Sequence, residues 1–180
     1  MTNPATRKLP SQDVLTDAHL AAIGLVVVEW AALEGLMQMA LCNLMMNDIE
    51  WLEKNPGPLI LTTGMGAQVM IGLLKSFIQF RFPDDAEAFE KLMKKINKAK
   101  GHRDIVAHST WEKGPAPGLV EPQGHKTVGQ LKTLEGHADA EGIADIAHDI
   151  FRLGVQLDRF VRARSLLPAA SPEMRAPKAP

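Results

Sequence analysis

Apolar residues recur at helical spacing along four stretches of this chain, separated by runs rich in Pro, Gly and Asn. The first stretch follows Thr16, a residue suited to cap a helix, and runs to about Asn47. Its stripe is Leu20, Ile23, Val27, Trp30, Glu34, Met37, Leu41 and Leu44, spaced by threes and fours. Asn55-Pro56-Gly57-Pro58 then breaks the pattern. A second helix is predicted from Thr62 or Thr63 through Met65, Val69, Ile71, Leu73, Leu74, Phe77 and Ile78, ending before Pro83. The third has the clearest start. Asp84 can cap it with Glu87 three residues on, and Asp85 and Glu90 add acid near its positive end. It continues through Phe89, Leu92, Ile96 and Ala99 and across Gly101 towards His108. The fourth spans about Ala138 to Arg164, with Ile143, Ile146, Ile150, Leu153, Leu157 and Phe160 as its stripe.

Between the third and fourth helices lies an irregular stretch with Gly114, Pro115, Pro117, Gly118, Pro122 and Gly124. Thr110-Trp111-Glu112 and Gly118-Leu119-Val120-Glu121 are expected to pair there as a short hairpin. The expected fold is therefore all-α, an antiparallel four-helix bundle with one hairpin-containing insertion before the last helix. Residues 1–15 read as a flexible leader, 16–166 as one domain, and 167–180 as a Pro- and Ala-rich disordered tail.

Composition narrows the function classes. At 180 residues and 46 % apolar content, the chain can bury one sizeable core. A net charge of −1 gives no overall attraction to nucleic acid or acidic lipid, so any polyanion site must be a local patch. The single cysteine, Cys42, excludes a disulfide framework and fits a reducing, cytoplasmic setting. With no Tyr, three Trp and six Phe, a stacking platform for single strands is not expected. The apolar segment Leu20 to Met46 is long, but Glu29, Glu34, Gln38 and Asn43 interrupt it. Its longest unbroken run, Leu20 to Val28, falls short of the ~20 residues of a membrane span. A central helix buried on most sides is the reading, with no membrane partner.

Chemistry concentrates in Arg103-Asp104-Ile105-Val106-Ala107-His108. An arginine carries a permanent charge on a planar donor fork that matches phosphate. Histidine is the side chain most easily set to move a proton near neutral pH. Arg103 also continues the apolar stripe of the third helix, where a charge needs a partner. Glu34 breaks the stripe of the first helix in the same way, so a Glu34–Arg103 pair is expected. Five residues at about 100° each leave Arg103 and His108 about 140° apart, not on one face. A cleft shared across a two-fold axis would bring them together.

These six residues resemble the signature of the HEPN superfamily (higher eukaryotes and prokaryotes nucleotide-binding domain): an Arg, four to six residues, then a His, usually with a polar residue after the Arg. Asp104 fills that polar place, where Asn is commoner. The resemblance implies a small helical bundle with the motif late in the chain, acting as a homodimer. It implies a metal-independent endoribonuclease that needs no cofactor, in toxin, stress or phage-defence systems, with room for an inhibitory protein partner. By that likeness His108 would act as general base or acid, Arg103 would hold the scissile phosphate, and Asp104 would orient either side chain. The competing reading is a catalytically silent bundle, an interaction module in which Glu34–Arg103 is structural.

Lys91, Lys94, Lys95, Lys98 and Lys100 lead to His102 and Arg103. They read as a solvated face complementing the helix dipole, and Lys95, Lys98, Lys100 and His102 also as a track for RNA. Ser109 and Thr110 could add hydroxyl contacts. A metal site is not expected. His137 and His148 sit about 16 Å apart along a helix, and His102, His108 and His125 lack ligand spacing. Cys42 reads as a small core residue, and Gly64-Met65-Gly66 lacks the flanks of a phosphate loop.

Overall fold

The computed structural model describes residues 13–46, 57–123 and 138–164. Among these the chain is mostly helical: α1 (Asp17–Met46), α2 (Gly57–Thr63), α3 (Ala67–Arg81), a 3-10 turn (Pro83–Asp85), α4 (Ala86–His108), a hairpin of β1 (Thr110–Lys113) and β2 (Val120–Gln123), and α5 (Ala140–Arg162). Residues 1–12 of the expected leader, the expected tail, His125, His137 and most of the break after the first helix lie outside the described residues, while Leu15, placed in the leader, is buried. The described chain divides into two compact units. Among the described residues one holds 13–31, 98–123 and 138–152, the other 32–46, 57–97 and 153–164, so α1, α4 and α5 each run through both.

In the first unit the buried apolar set is Leu15, Ala22, Val26 and Trp30, then Ala99 and Val106 of α4, Val120 of β2, and Ile143, Ala147 and Ile150 of α5. Thr16 caps α1 as expected. Its Oγ1 accepts from the His19 backbone N–H at 3.4 Å, and the His19 ring returns a bond to the Thr16 N–H at 3.3 Å. This is the reciprocal geometry of a capping box with His in the place of the usual Glu. His19 Nε2 reaches the Gly118 carbonyl at 3.1 Å, which ties the start of α1 to the hairpin turn.

The hairpin pairs antiparallel with Thr110 opposite Gln123, so its second strand starts two residues later than the sequence suggests. Two glycines explain the shift. Gly118 turns the chain at φ 82°, a conformation side chains resist, and so belongs to the loop. At Gly114 an added Cβ would meet Leu119 at 2.9 Å, in the place where the Gly114 N–H closes on the Leu119 carbonyl.

In the second unit α1 contributes Leu33, Met37, Ala40, Leu41, Cys42 and Leu44, α3 contributes Ala67, Met70, Ile71, Leu74 and Ile78, and α4 contributes Phe89, Leu92, Met93 and Ile96. Leu153, Leu157 and Val161 of α5 complete it. Gln38 donates to the Thr62 and Thr63 hydroxyls at 3.1 Å each, and Cys42 Sγ lies 3.3 Å from Thr62 Oγ1. Cys42 is thus a core residue, as read. Arg81 donates to the Leu44 carbonyl at 3.0 Å, satisfying one of the acceptors that a helix end leaves open.

Several sequence expectations shift. Leu20 and Val27 of the predicted α1 stripe are exposed, and Ala22 and Val26 take the buried places. The segment is apolar on every side, so spacing alone does not select a face. α2 is not among the predicted helices and begins at Gly57, inside the expected break, while the second predicted helix starts only at Ala67, after Gly64-Met65-Gly66. Ile146 and Phe160 of the last stripe are half-buried, with Ala147 and Val161 buried beside them. Asp84 is exposed ahead of α4, while its neighbour Asp85 takes the structural role.

Arg164 Nε donates to Asp85 Oδ2 at 2.7 Å, a second nitrogen pairs with Oδ1, and the guanidinium carbon stacks 3.6 Å from the Phe160 ring centroid. The Arg164 hydrogen bond and charge hold the Asp85 carboxyl below its ordinary range. A carboxyl depressed in the folded state stabilises above its unfolded value, and that contribution is lost as pH falls through the folded value. Asp85→Asn should therefore lower the urea midpoint at pH 7. The gap between the two proteins should close as pH falls below the ordinary carboxyl range; a gap unchanged down to pH 3 would remove Asp85 from this role.

Candidate functional site

α4 ends at His108, and the first-unit part of the helix, Lys98 to His108, carries the motif. Val106 is fully buried and fixes the inward face of the last turns, which leaves Arg103 and Asp104 half-buried and His108 exposed. Arg103 Nη1 donates to Asp104 Oδ1 at 3.1 Å and lies 3.3 Å from His108 Nε2. The long arginine spans the angle between the two positions, so one chain by itself joins Arg103 to His108. The shared cleft invoked to unite them is not needed for that contact.

A guanidinium only donates, so His108 Nε2 stands on the acceptor side of this contact. Lys100 Nζ meets Asp104 Oδ2 at 2.5 Å, so the carboxylate lies between a lysine and an arginine. Three charged side chains and one imidazole thus form a continuous chain: Lys100, Asp104, Arg103, His108.

Trp30 of α1 forms a wall behind the site, with the Arg103 guanidinium carbon 5.9 Å from its ring centroid. Trp30 Nε1 and Arg103 Nε are both buried without an acceptor. The carboxylate that Arg103 holds within the first unit is Asp104, next to it in sequence. Glu34, the partner expected from the stripes, belongs to the second unit and is half-buried.

The remaining predicted residues divide. Lys98 is exposed in the first unit and Lys95 in the second, while Lys91 and Lys94 pair with Glu87 and Glu90 one turn back. His102 is half-buried, Ser109 is half-buried just past the helix end, and Thr110 opens β1. Lys100 is paired with Asp104. Among the described residues no group of three His, Cys, Asp or Glu side chains could hold a metal ion.

Two contacts escaped the sequence reading, the Lys100–Asp104 ion pair and the approach of Trp30 to Arg103. Lys100 and Asp104 stand four apart on a helix, a spacing that signals an ion pair. Trp30 was legible as core but not as the wall behind Arg103. A half-open cavity of about 390 Å³ in the same unit is lined by Thr16, His19, Lys113, Pro115 and Leu119 among others. Thr16 Oγ1 lies 2.7 Å from His19 Nδ1 there, but the reciprocal helix cap accounts for that contact. No protein-family model matches the chain, and no curated protein and no solved structure is found to match it.

Proposed function

We propose that this chain is a HEPN-like, metal-independent endoribonuclease whose reacting groups are His108 and Arg103. The observation that supports the reading is the 3.3 Å approach of Arg103 Nη1 to Nε2 of an exposed His108. In the proposed reaction His108 Nε2 takes the proton from a ribose 2′-hydroxyl, whose oxygen attacks the adjacent phosphorus. The bond from phosphorus to the 5′-oxygen breaks, that oxygen takes a proton from water, His108 returns its proton to the hydroxide so formed, and the products are a 2′,3′-cyclic phosphate and a 5′-hydroxyl. Arg103 binds the phosphate and neutralises charge as it builds on the non-bridging oxygens. Lys98 supplies a nearby exposed cation for the RNA backbone.

The protein works as a homodimer in this proposal. The first-unit part of α1 leaves Leu20, Leu25, Val27 and Val28 exposed, with Val28 at 63 %, on a face that also holds Ala21, Gly24 and Ala31. By length and composition α1 could cross a membrane, and only 28 % of its most apolar stretch is buried. The helix is long enough for the ~30 Å hydrocarbon core, but half-buried Glu29, Glu34 and Gln38 interrupt it, which suits a second copy better than lipid.

The test is RNA cleavage in EDTA by the purified protein, with its mass in solution. The expected result is cleavage to cyclic-phosphate ends by a species of twice the chain mass. Loss of cleavage in EDTA would overturn metal independence. No cleavage of structured or single-stranded RNA would favour the interaction module, and sedimentation with vesicles would assign the α1 face to lipid.

A further inference from the structure

Lys100, Asp104, Arg103 and His108 are joined end to end by bonds of 2.5, 3.1 and 3.3 Å. Their charged members are partly buried, with side-chain exposures of 29 % for Lys100, 34 % for Asp104 and 24 % for Arg103. Charges so placed are screened less than charges on an open surface. We infer that Lys100 is a positioning residue of this site, holding one oxygen of Asp104 so that Arg103 keeps its charge for a phosphate and its Nη1 for His108.

The inference rests on the reading of Arg103 and His108 as a phosphodiester site, and it deepens that reading. A carboxylate facing a lone guanidinium favours the two-pronged pairing that uses both oxygens. That geometry would spend two arginine nitrogens on Asp104 and cancel the arginine's charge. With Lys100 on Oδ2, Arg103 pairs through Oδ1 alone. Lys100, Asp104 and Arg103 together then carry one net positive charge beside His108; without Lys100 they would carry none. Lys100 therefore acts through Asp104.

The charged groups linked to His108 among the described residues are Arg103 directly, and Asp104 and Lys100 through it. Removing a cation from this chain favours the imidazolium, and removing an anion disfavours it. The decisive experiment is an NMR titration of the His108 ring in the full-length protein and in Lys100→Ala, Asp104→Asn and the double variant. The midpoint should rise in Lys100→Ala, fall in Asp104→Asn, and return towards wild type when both are present. Lys100→Arg, which keeps the charge, should leave it in place. Equal midpoints in all the proteins would overturn the inference, as would single shifts that fail to oppose each other.

Cleavage kinetics add a second reading. Lys100→Ala should lower kcat about tenfold with KM little changed, and the loss should shrink to about twofold or less when Asp104→Asn is already present. A phosphate ligand would behave differently, raising KM and flattening the salt dependence of binding. That second pattern would return Lys100 to the RNA track and refute the positioning role. The titration needs no RNA. A protein that cuts nothing yet shows opposed, cancelling shifts would sink the nuclease proposal and leave the Lys100–Asp104 coupling standing.

Discussion

His108→Ala should lower the rate of RNA cleavage by about 10²–10⁴-fold while leaving helicity and unfolding midpoint close to wild type. The structural reason is position. His108 is the last residue of α4, exposed, and its side-chain bond is the one to Arg103. Removing the ring opens no cavity and strands no buried charge, so the fold has little at stake. The reaction loses its proton acceptor. Arg103→Ala should cost cleavage about 10²–10³-fold, the usual worth of a group that stabilises developing charge. It should also cost stability, because Asp104 keeps only Lys100 and the Trp30 ring loses its cover.

Arg103→Lys separates the two effects. It keeps the charge but loses the planar fork, so cleavage should fall while stability is largely retained. Single-turnover cleavage with circular dichroism on each variant checks the set. The interaction-module reading demands the opposite order: Arg103→Ala destabilising, His108→Ala silent in every assay. A His108→Ala protein that binds or cuts RNA as wild type does would remove this histidine from the chemistry.

Much of the helical framework was readable because polar and apolar residues fall on separate faces, strongly in α5 and more weakly in α3 and α4. Ile143, Ile150, Leu153 and Leu157 are all buried where the spacing of α5 put them. α1 resisted the same logic, since a helix apolar on all sides offers no polar face to subtract. That is why Leu20 and Val27 were assigned inward and lie outward. The break at Gly64-Met65-Gly66 was missed because Met65 and Val69 extend the apolar spacing across it; two glycines in three residues were the signal to stop. The motif itself was legible as six residues, and the reach of Arg103 to His108 was not, because helix angles describe Cα positions and an arginine side chain is long enough to cross them. Asp104 was legible as a polar neighbour. Its place between two cations depended on Lys100, which the basic run around it disguised as one more solvated lysine.

Trp30 links the fold to the site, and its substitutions should divide sharply. The side chain is 1 % exposed, and Trp30→Ala should destabilise by about 3–5 kcal/mol, the cost of a large cavity in the core. Trp30→Phe should cost much less, under about 1.5 kcal/mol. The smaller ring leaves part of the space empty, which is unfavourable. Against that, it removes an indole N–H that is buried without an acceptor, a group whose burial costs about 1–3 kcal/mol. Phe also keeps an aromatic face beneath the Arg103 guanidinium, although a weaker one. Chemical denaturation of the three proteins orders them. If Phe proves as damaging as Ala, the indole N–H has a partner in solution and its bond is part of the core. Where Phe is well tolerated, cleavage by that variant should track wild type within about tenfold, because the wall that keeps Arg103 turned towards His108 is still aromatic.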